Sequence, residues 1–147
     1  MKVYLDACCL SRLTDDQAQL RIRQEAEAVE RIFRRMRAGS TQWISSEALI
    51  EEINRNPRRE RRIEIAALLA HATETVGLND HIVERAKQLQ AVGYGPFDAL
   101  HLACAEAGQA DVLLTTDDGF LRKALRGDGS PLISVRNPLS WSQEELL

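Results

Sequence analysis

Four acids stand where an α/β chain can put chemistry. Asp6 closes the apolar run KVYL and Asp117 follows the run VLL, so each falls at the carboxyl end of a predicted strand. Asp98 lies in the first turn of FDALHLACAEAG, and Glu52 lies near the inner edge of SEALIEEI. Carboxylates about 4 Å apart repel by about 1 kcal/mol in bulk water and about 4 kcal/mol at an effective dielectric of 20. Acids converging without a nearby lysine therefore need a cation. Magnesium or manganese suits an oxygen set, whereas zinc asks for histidine and cysteine, and His71 and His81 have no ligand spacing with each other or with the cysteines. Two such ions about 3.5–4 Å apart can activate a water and hold the leaving oxygen in phosphodiester cleavage. That chemistry calls for a phosphate-bearing substrate.

The stretch Gly95 to Gly108 sets the problem most sharply, because Asp98 is nearly alone among alanines, leucines and Cys104. A helix apolar on nearly all sides is buried between layers, and a carboxylate there is paired, metal-bound or capping. Gly95-Pro96 is a helix start and Gly108 a stop. The positive end of the macrodipole favours an ionised Asp98 by about 0.3–1 kcal/mol. His101 shares its helical face at three residues' distance. It either touches the acids or is a core histidine bonded to a carbonyl, and the second is the expectation.

The elements that must position these residues follow in order. Lys2 to Leu5 reads as a strand, and Thr14 with Gln17 has capping-box spacing for a helix running to about Ala38. Its stripe is Ile22, Ala26, Val29, Phe33 and Met36, with Glu27–Arg31 and Glu30–Arg34 as outer pairs. Thr41 to Ile44 is a second strand, and Ser45 or Ser46 caps a helix with Ala48, Leu49 and Ile53 inward. After Asn56-Pro57, Ile63, Ala66, Ala67 and Ala70 mark another helix, and TETVGLND holds a short edge strand. Asp80 caps a helix with Ile82, Ala86 and Leu89 on one face, ended by Gly93. Past the Asp98 helix come a strand at Asp111–Leu114, a short helix at Phe120 and Leu121, a strand at Leu132–Val135, and a terminal turn capped by Ser142 with Glu145. Alternating strands and helices predict an α/β sandwich with a mainly parallel central sheet. Such sheets bind ligands beyond their strands' carboxyl ends.

At 147 residues and 44% hydrophobic content, residues 1–147 are expected to form one domain. No apolar run approaches a membrane span, and MKVYLDACCL lacks the pattern of a signal peptide, so a cytoplasmic location is expected. Three cysteines, two adjacent, make a poor disulfide framework and read as reduced and mostly buried. A net charge of −3 argues against a wholesale electrostatic nucleic-acid binder. The block Arg55, Arg58, Arg59, Arg61 and Arg62 suits phosphate, although a solvated face paired with Glu60 and Glu64 is the plainer reading.

The set LDACCLSR, SEALIEEI, FDALHLACAEAG and LLTTDDGF resembles the PIN-domain family in motif order and spacing over nearly the whole chain. The resemblance implies a three-layer α/β/α sandwich fold and a Mg²⁺- or Mn²⁺-dependent endoribonuclease of VapC-like toxin type, with Asp6, Glu52, Asp98 and Asp117 as catalytic metal ligands. Glu51 competes with Glu52, depending on whether the count runs from Ser45 or Ser46. Asp118 would assist through a water, and Thr115 or Thr116 would orient a water or phosphate. His101 is a further auxiliary candidate, and Arg12, Arg58 and Arg59 are candidates for holding substrate. Many relatives carry threonine and asparagine where Ala7 and Cys8 stand, so a side-chain contact there is expected to be missing or altered, with Cys8 as packing. In a VapC-like setting RNA is the substrate, and the first long helix and the arginine block are surfaces for an antitoxin or a homodimer.

Two other classes compete. A phospho-accepting signalling module would want an acid pair after its first strand and a lysine after its last, and this chain has neither. A non-catalytic interaction module on the same fold has no need of all the acids that are present.

Overall fold

In a computed structural model describing residues 1–145, every strand pairing is parallel. The strands are β1 (Lys2–Leu5), β2 (Gln42–Ser46), β3 (Glu74–Val76), β4 (Val112–Leu114) and β5 (Ser134–Arg136), in the order β3-β2-β1-β4-β5. The chain leaves β1 to one side for β2 and later returns to its other side as β4. The switch point beside β1 is thus the crevice where an open α/β sheet takes a ligand.

The period of two sorts the core. Val3, Leu5, Trp43, Val112 and Leu114 point to one face, while Tyr4, Ile44 and Leu113 point to the other. The first face is covered by α1 (Ala7–Ser11), α2 (Leu20–Arg37), α4 (Arg59–Leu69) and α8 (Pro138–Glu145), through Leu10, Ile32, Ile65 and Trp141. The second is covered by α5 (Asp80–Ala91), α6 (Pro96–Ala107) and α7 (Asp118–Leu125), through Leu89, Leu102 and Phe120. Helix α3 (Glu47–Asn54) straddles the edge, sending Ala48 one way and Leu49 and Ile53 the other. The expected three layers are present. Gly108, the residue that ends α6, has to be glycine because a side chain there would meet Val76 Cγ2 at 2.9 Å and Ile44 Cγ2 at 3.0 Å. Among the described residues, no helix is long and apolar enough to cross a membrane.

Several local expectations are corrected. Helix α2 starts at Leu20, not near Thr14, whose hydroxyl instead donates to the Ser11 carbonyl in the loop after α1. The pairs Glu27–Arg31 and Glu30–Arg34 do not close, and Arg31 reaches Ser142 Oγ at 3.0 Å instead. On α4 the inward residues are Ile65, Leu68 and Leu69, while Ile63, Ala66, Ala67 and Ala70 are exposed. Strand β5 begins at Ser134 rather than Leu132. Ser142 lies inside α8 and does not cap it, since Asn137 Oδ1 accepts the Leu139 N–H at 2.7 Å. The cysteines are free, with Cys9 and Cys104 buried.

Candidate active site

Asp6 leaves the end of β1 directly into α1, which it caps by accepting the Ala7 N–H at 2.7 Å. Its other oxygen accepts the Thr115 hydroxyl at 2.9 Å and the Cys8 thiol at 3.4 Å. Thr115 follows β4 and is fully buried, so the two central strands fix this carboxylate between them. Cys8 does more than pack. Its sulfur touches Thr115 Oγ1 at 3.3 Å and accepts the Thr116 N–H at 3.3 Å. The altered contact expected beside Asp6 is thus a thiol at the start of α1 that bridges Asp6 to the loop after β4.

Glu52 comes from α3, whose start is fixed by Ser46 Oγ accepting the Leu49 N–H at 3.1 Å. From there Glu52 Oε1 meets His101 Nε2 at 2.8 Å. The same nitrogen is 3.5 Å from Asp6 Oδ1. Asp6, Glu52 and His101 each offer a ligand atom within 4.8 Å of the others. The core-histidine expectation is therefore corrected, because the buried His101 ring bonds no carbonyl among the described residues and spans Tyr4 and the acids instead. Glu51 points outward to Arg55 at 3.3 Å, one position round the helix from Glu52.

Asp98, partly buried at the third position of α6, accepts no side-chain or capping hydrogen bond among the described residues. Burial, and then the charges of Asp6 and Asp117, push its carboxyl up from 3.8 to about 7. These terms outweigh the helix macrodipole, which alone would have favoured the ion. Burial pulls His101 down, but Asp6 and the bond to Glu52 more than offset it, and its pKa is raised. Asp117 caps α7 by accepting the Phe120 N–H at 3.1 Å and remains exposed beyond β4.

The remaining candidates divide. Asp118 is held by both Arg21 nitrogens, at 2.8 and 2.9 Å, and is not turned to the acids. Thr115 spends its hydroxyl on Asp6, while Thr116 Oγ1 is buried without a partner among the described residues. Arg12 is not free for substrate, since its Nε bonds the buried Glu25 at 2.9 Å and its Nη1 bonds Asp15 at 2.9 Å. Arg61 bonds Asp15 and Arg62 the Asn56 carbonyl, so the arginine block is not tied to Glu60 and Glu64. Arg58 and Arg59 are exposed. Phe97 escaped the sequence reading, and Arg55 was read only as one member of the arginine block. Arg55 stacks 5.1 Å above Phe97, and Phe97 stacks on His101, forming a cationic and aromatic rim next to Glu52 and Asp98. The signal was their position, three residues after one acid and one residue before another.

The donor set fits a hard divalent cation. Among the described residues, no lysine or arginine pairs with Asp6, Glu52, Asp98 or Asp117. Crowded carboxylates whose mutual repulsion reaches Asp98 are what such an ion would relieve. Beside Glu52 lies a cavity of about 310 Å³ lined by Ala7, Ser11, Arg55, Asn56 and Pro57. The larger cavity of about 580 Å³, lined by Phe33, Met36 and Trp43, is remote from the acids.

Comparison with known proteins gives a family and a structural likeness. The PIN domain matches residues 3–125. Compared with curated proteins, the sequence matches none. The fold is similar to a chain in the crystal structure of VapBC2 from Rickettsia felis bound to a DNA fragment from its promoter, with a TM-score of 0.60 and 13% identity, covering 93% of this chain and 98% of that one.

Proposed function

The chain belongs to the PIN domain family, and from that premise we propose that it is a Mg²⁺- or Mn²⁺-dependent endoribonuclease. The observation that carries this reading is the meeting of Asp6, Glu52 and His101 within 4.8 Å at the carboxyl ends of β1 and β2, with Asp98 feeling the acids' charge. Asp6, Glu52, Asp98 and Asp117 would hold the ion, which supplies charge neutralisation at a phosphodiester and activation of water. The chain's own part is to position. Thr115 and the Ala7 N–H fix Asp6, His101 fixes Glu52, and the rigid apolar helix α6 carries Asp98. No side chain at the site stands ready as a covalent nucleophile, because the Cys8 thiol is already engaged with Asp6 and Thr115.

RNA would approach over the exposed Arg55, Arg58 and Arg59, with Phe97 backing the Arg55 guanidinium. The likeness to a VapBC chain supports an antitoxin as partner, with the outer face of α2 and the arginine block as candidate surfaces for it or for a homodimer. The test is expression of the wild type beside Asp98→Asn, with total RNA sequenced for new 5′ ends. New ends only in the wild type are expected, and their absence from both would reject a ribonuclease.

A further inference from the structure

Tyr4 is a polar residue in the middle of the central strand, fully buried among apolar neighbours. Phenylalanine would fill an apolar layer without a hydroxyl to satisfy, so the hydroxyl's partners say what it is for. They are Ser46 Oγ at 2.6 Å and His101 Nδ1 at 2.7 Å, and the second is 97 residues away in sequence. His101 in turn places Nε2 at 2.8 Å from Glu52 Oε1. An ionised carboxylate only accepts, so Nε2 carries a proton. In a neutral ring Nδ1 then accepts the Tyr4 O–H, and the Tyr4 oxygen accepts the Ser46 O–H. In a charged ring the two inner bonds reverse. In both states the Tyr4 and His101 protons have a place and the ring's orientation is the same. Phe97, tilted 26° to the imidazole with centroids 6.1 Å apart, and Tyr4, tilted 54° at 5.7 Å, border the ring and restrict its rotation.

We propose that Tyr4 is a positioning residue: with Ser46 it locks the His101 ring so that Nε2–H faces Glu52 and Asp6, and so sets where the second acid stands. Ser46 serves twice, because the same oxygen fixes the start of the helix that carries Glu52. The inference rests on the divalent-ion reading of the acids. It makes His101 an orienting neighbour of the ion and not its ligand, and partners of this kind are worth about 10–100-fold in metal affinity.

The experiment uses the full chain, ¹⁵N-labelled at histidine, as wild type and Tyr4→Phe, with Mn²⁺ as the probe. In metal-free wild type a slowly exchanging His101 Nε2–H signal is expected, and in Tyr4→Phe it exchanges fast. Mn²⁺ affinity, read by the loss of free-ion electron paramagnetic resonance signal, is expected to fall at least about tenfold. Equal affinity and an equally protected N–H in a folded Tyr4→Phe would overturn the proposal. So would ¹⁵N coupling to Mn²⁺ in the wild type, which makes His101 a ligand and is readable even if Tyr4→Phe does not fold. If the wild type binds no Mn²⁺, the divalent-ion reading fails instead, while the N–H signal still decides whether Tyr4 holds His101.

Discussion

Replacing Asp98 with asparagine should stabilise the metal-free protein while removing its activity. Burial and the neighbouring charges of Asp6 and Asp117 move the Asp98 carboxyl from 3.8 to about 7. At 1.36 kcal/mol per unit the ceiling is about 4 kcal/mol, and screening of a partly exposed group reduces it to about 1–2 kcal/mol. The sign follows from linkage. An acid raised in the folded state costs nothing below its unfolded pKa of 3.8, costs progressively more as pH rises, and costs its full amount above about 7. Asp98→Asn should therefore melt about 3–6 °C above the wild type at pH 8 in a chelator, with the gap closing toward pH 4. Saturating Mn²⁺ should reverse the order, because an ion at about a hundred times its dissociation constant adds about 2.7 kcal/mol to the chain that binds it. Paired thermal melts at pH 4, 6 and 8, with and without Mn²⁺, make the measurement. A variant no more stable at pH 8, or equally stabilised at every pH, would refute the account of crowded acids at this site.

Other expectations follow from the same geometry. Glu52→Gln should lower RNA cleavage at least about tenfold, whereas Glu51→Gln, on the outward face with Arg55, should stay within about twofold, as read by initial rates. Arg12→Ala strips one of the partners of buried Glu25 and leaves Arg21 and Asn137, so urea melts should show a loss of about 1–3 kcal/mol without a matching rise in KM for RNA. Arg55→Ala should instead raise KM with little change in melting, since the side chain is exposed and its ion pair contributes at most about 1 kcal/mol.

The sheet was readable because β1, β2 and β4 are buried on both faces and spell short apolar runs, each ended by polar residues at the ligand-binding edge. Helices α5 and α6 were readable for the same reason of pattern. Helix α4 was not, because its alanines and Ile63 keep helical spacing on the solvent side, and only packing of the larger Ile65, Leu68 and Leu69 chose the face. Helix α1 is too short to show a period, and its cap is Asp6 itself. The Thr14–Gln17 spacing misled because Arg12 and Arg61 tie Asp15 into a loop, a tertiary choice that local sequence does not record. At the site, Asp98 and Asp6 stood out by isolation in apolar surroundings. The Tyr4–His101–Glu52 chain did not, since each bond joins residues 42 or more apart. Nor did Glu25, which reads as one more charge on α2 until Arg12 and Asn137 close on it.

The central claim is that these carboxylates gather to hold a divalent ion for RNA cleavage. Purified wild type and Asp98→Asn, each incubated with single-stranded RNA in Mg²⁺, Mn²⁺ or a chelator, test it directly. Cleavage by the wild type in either metal, abolished by the chelator and by the substitution, is the predicted result. Cleavage that persists in the chelator, or that Asp98→Asn performs as well as the wild type, would contradict it.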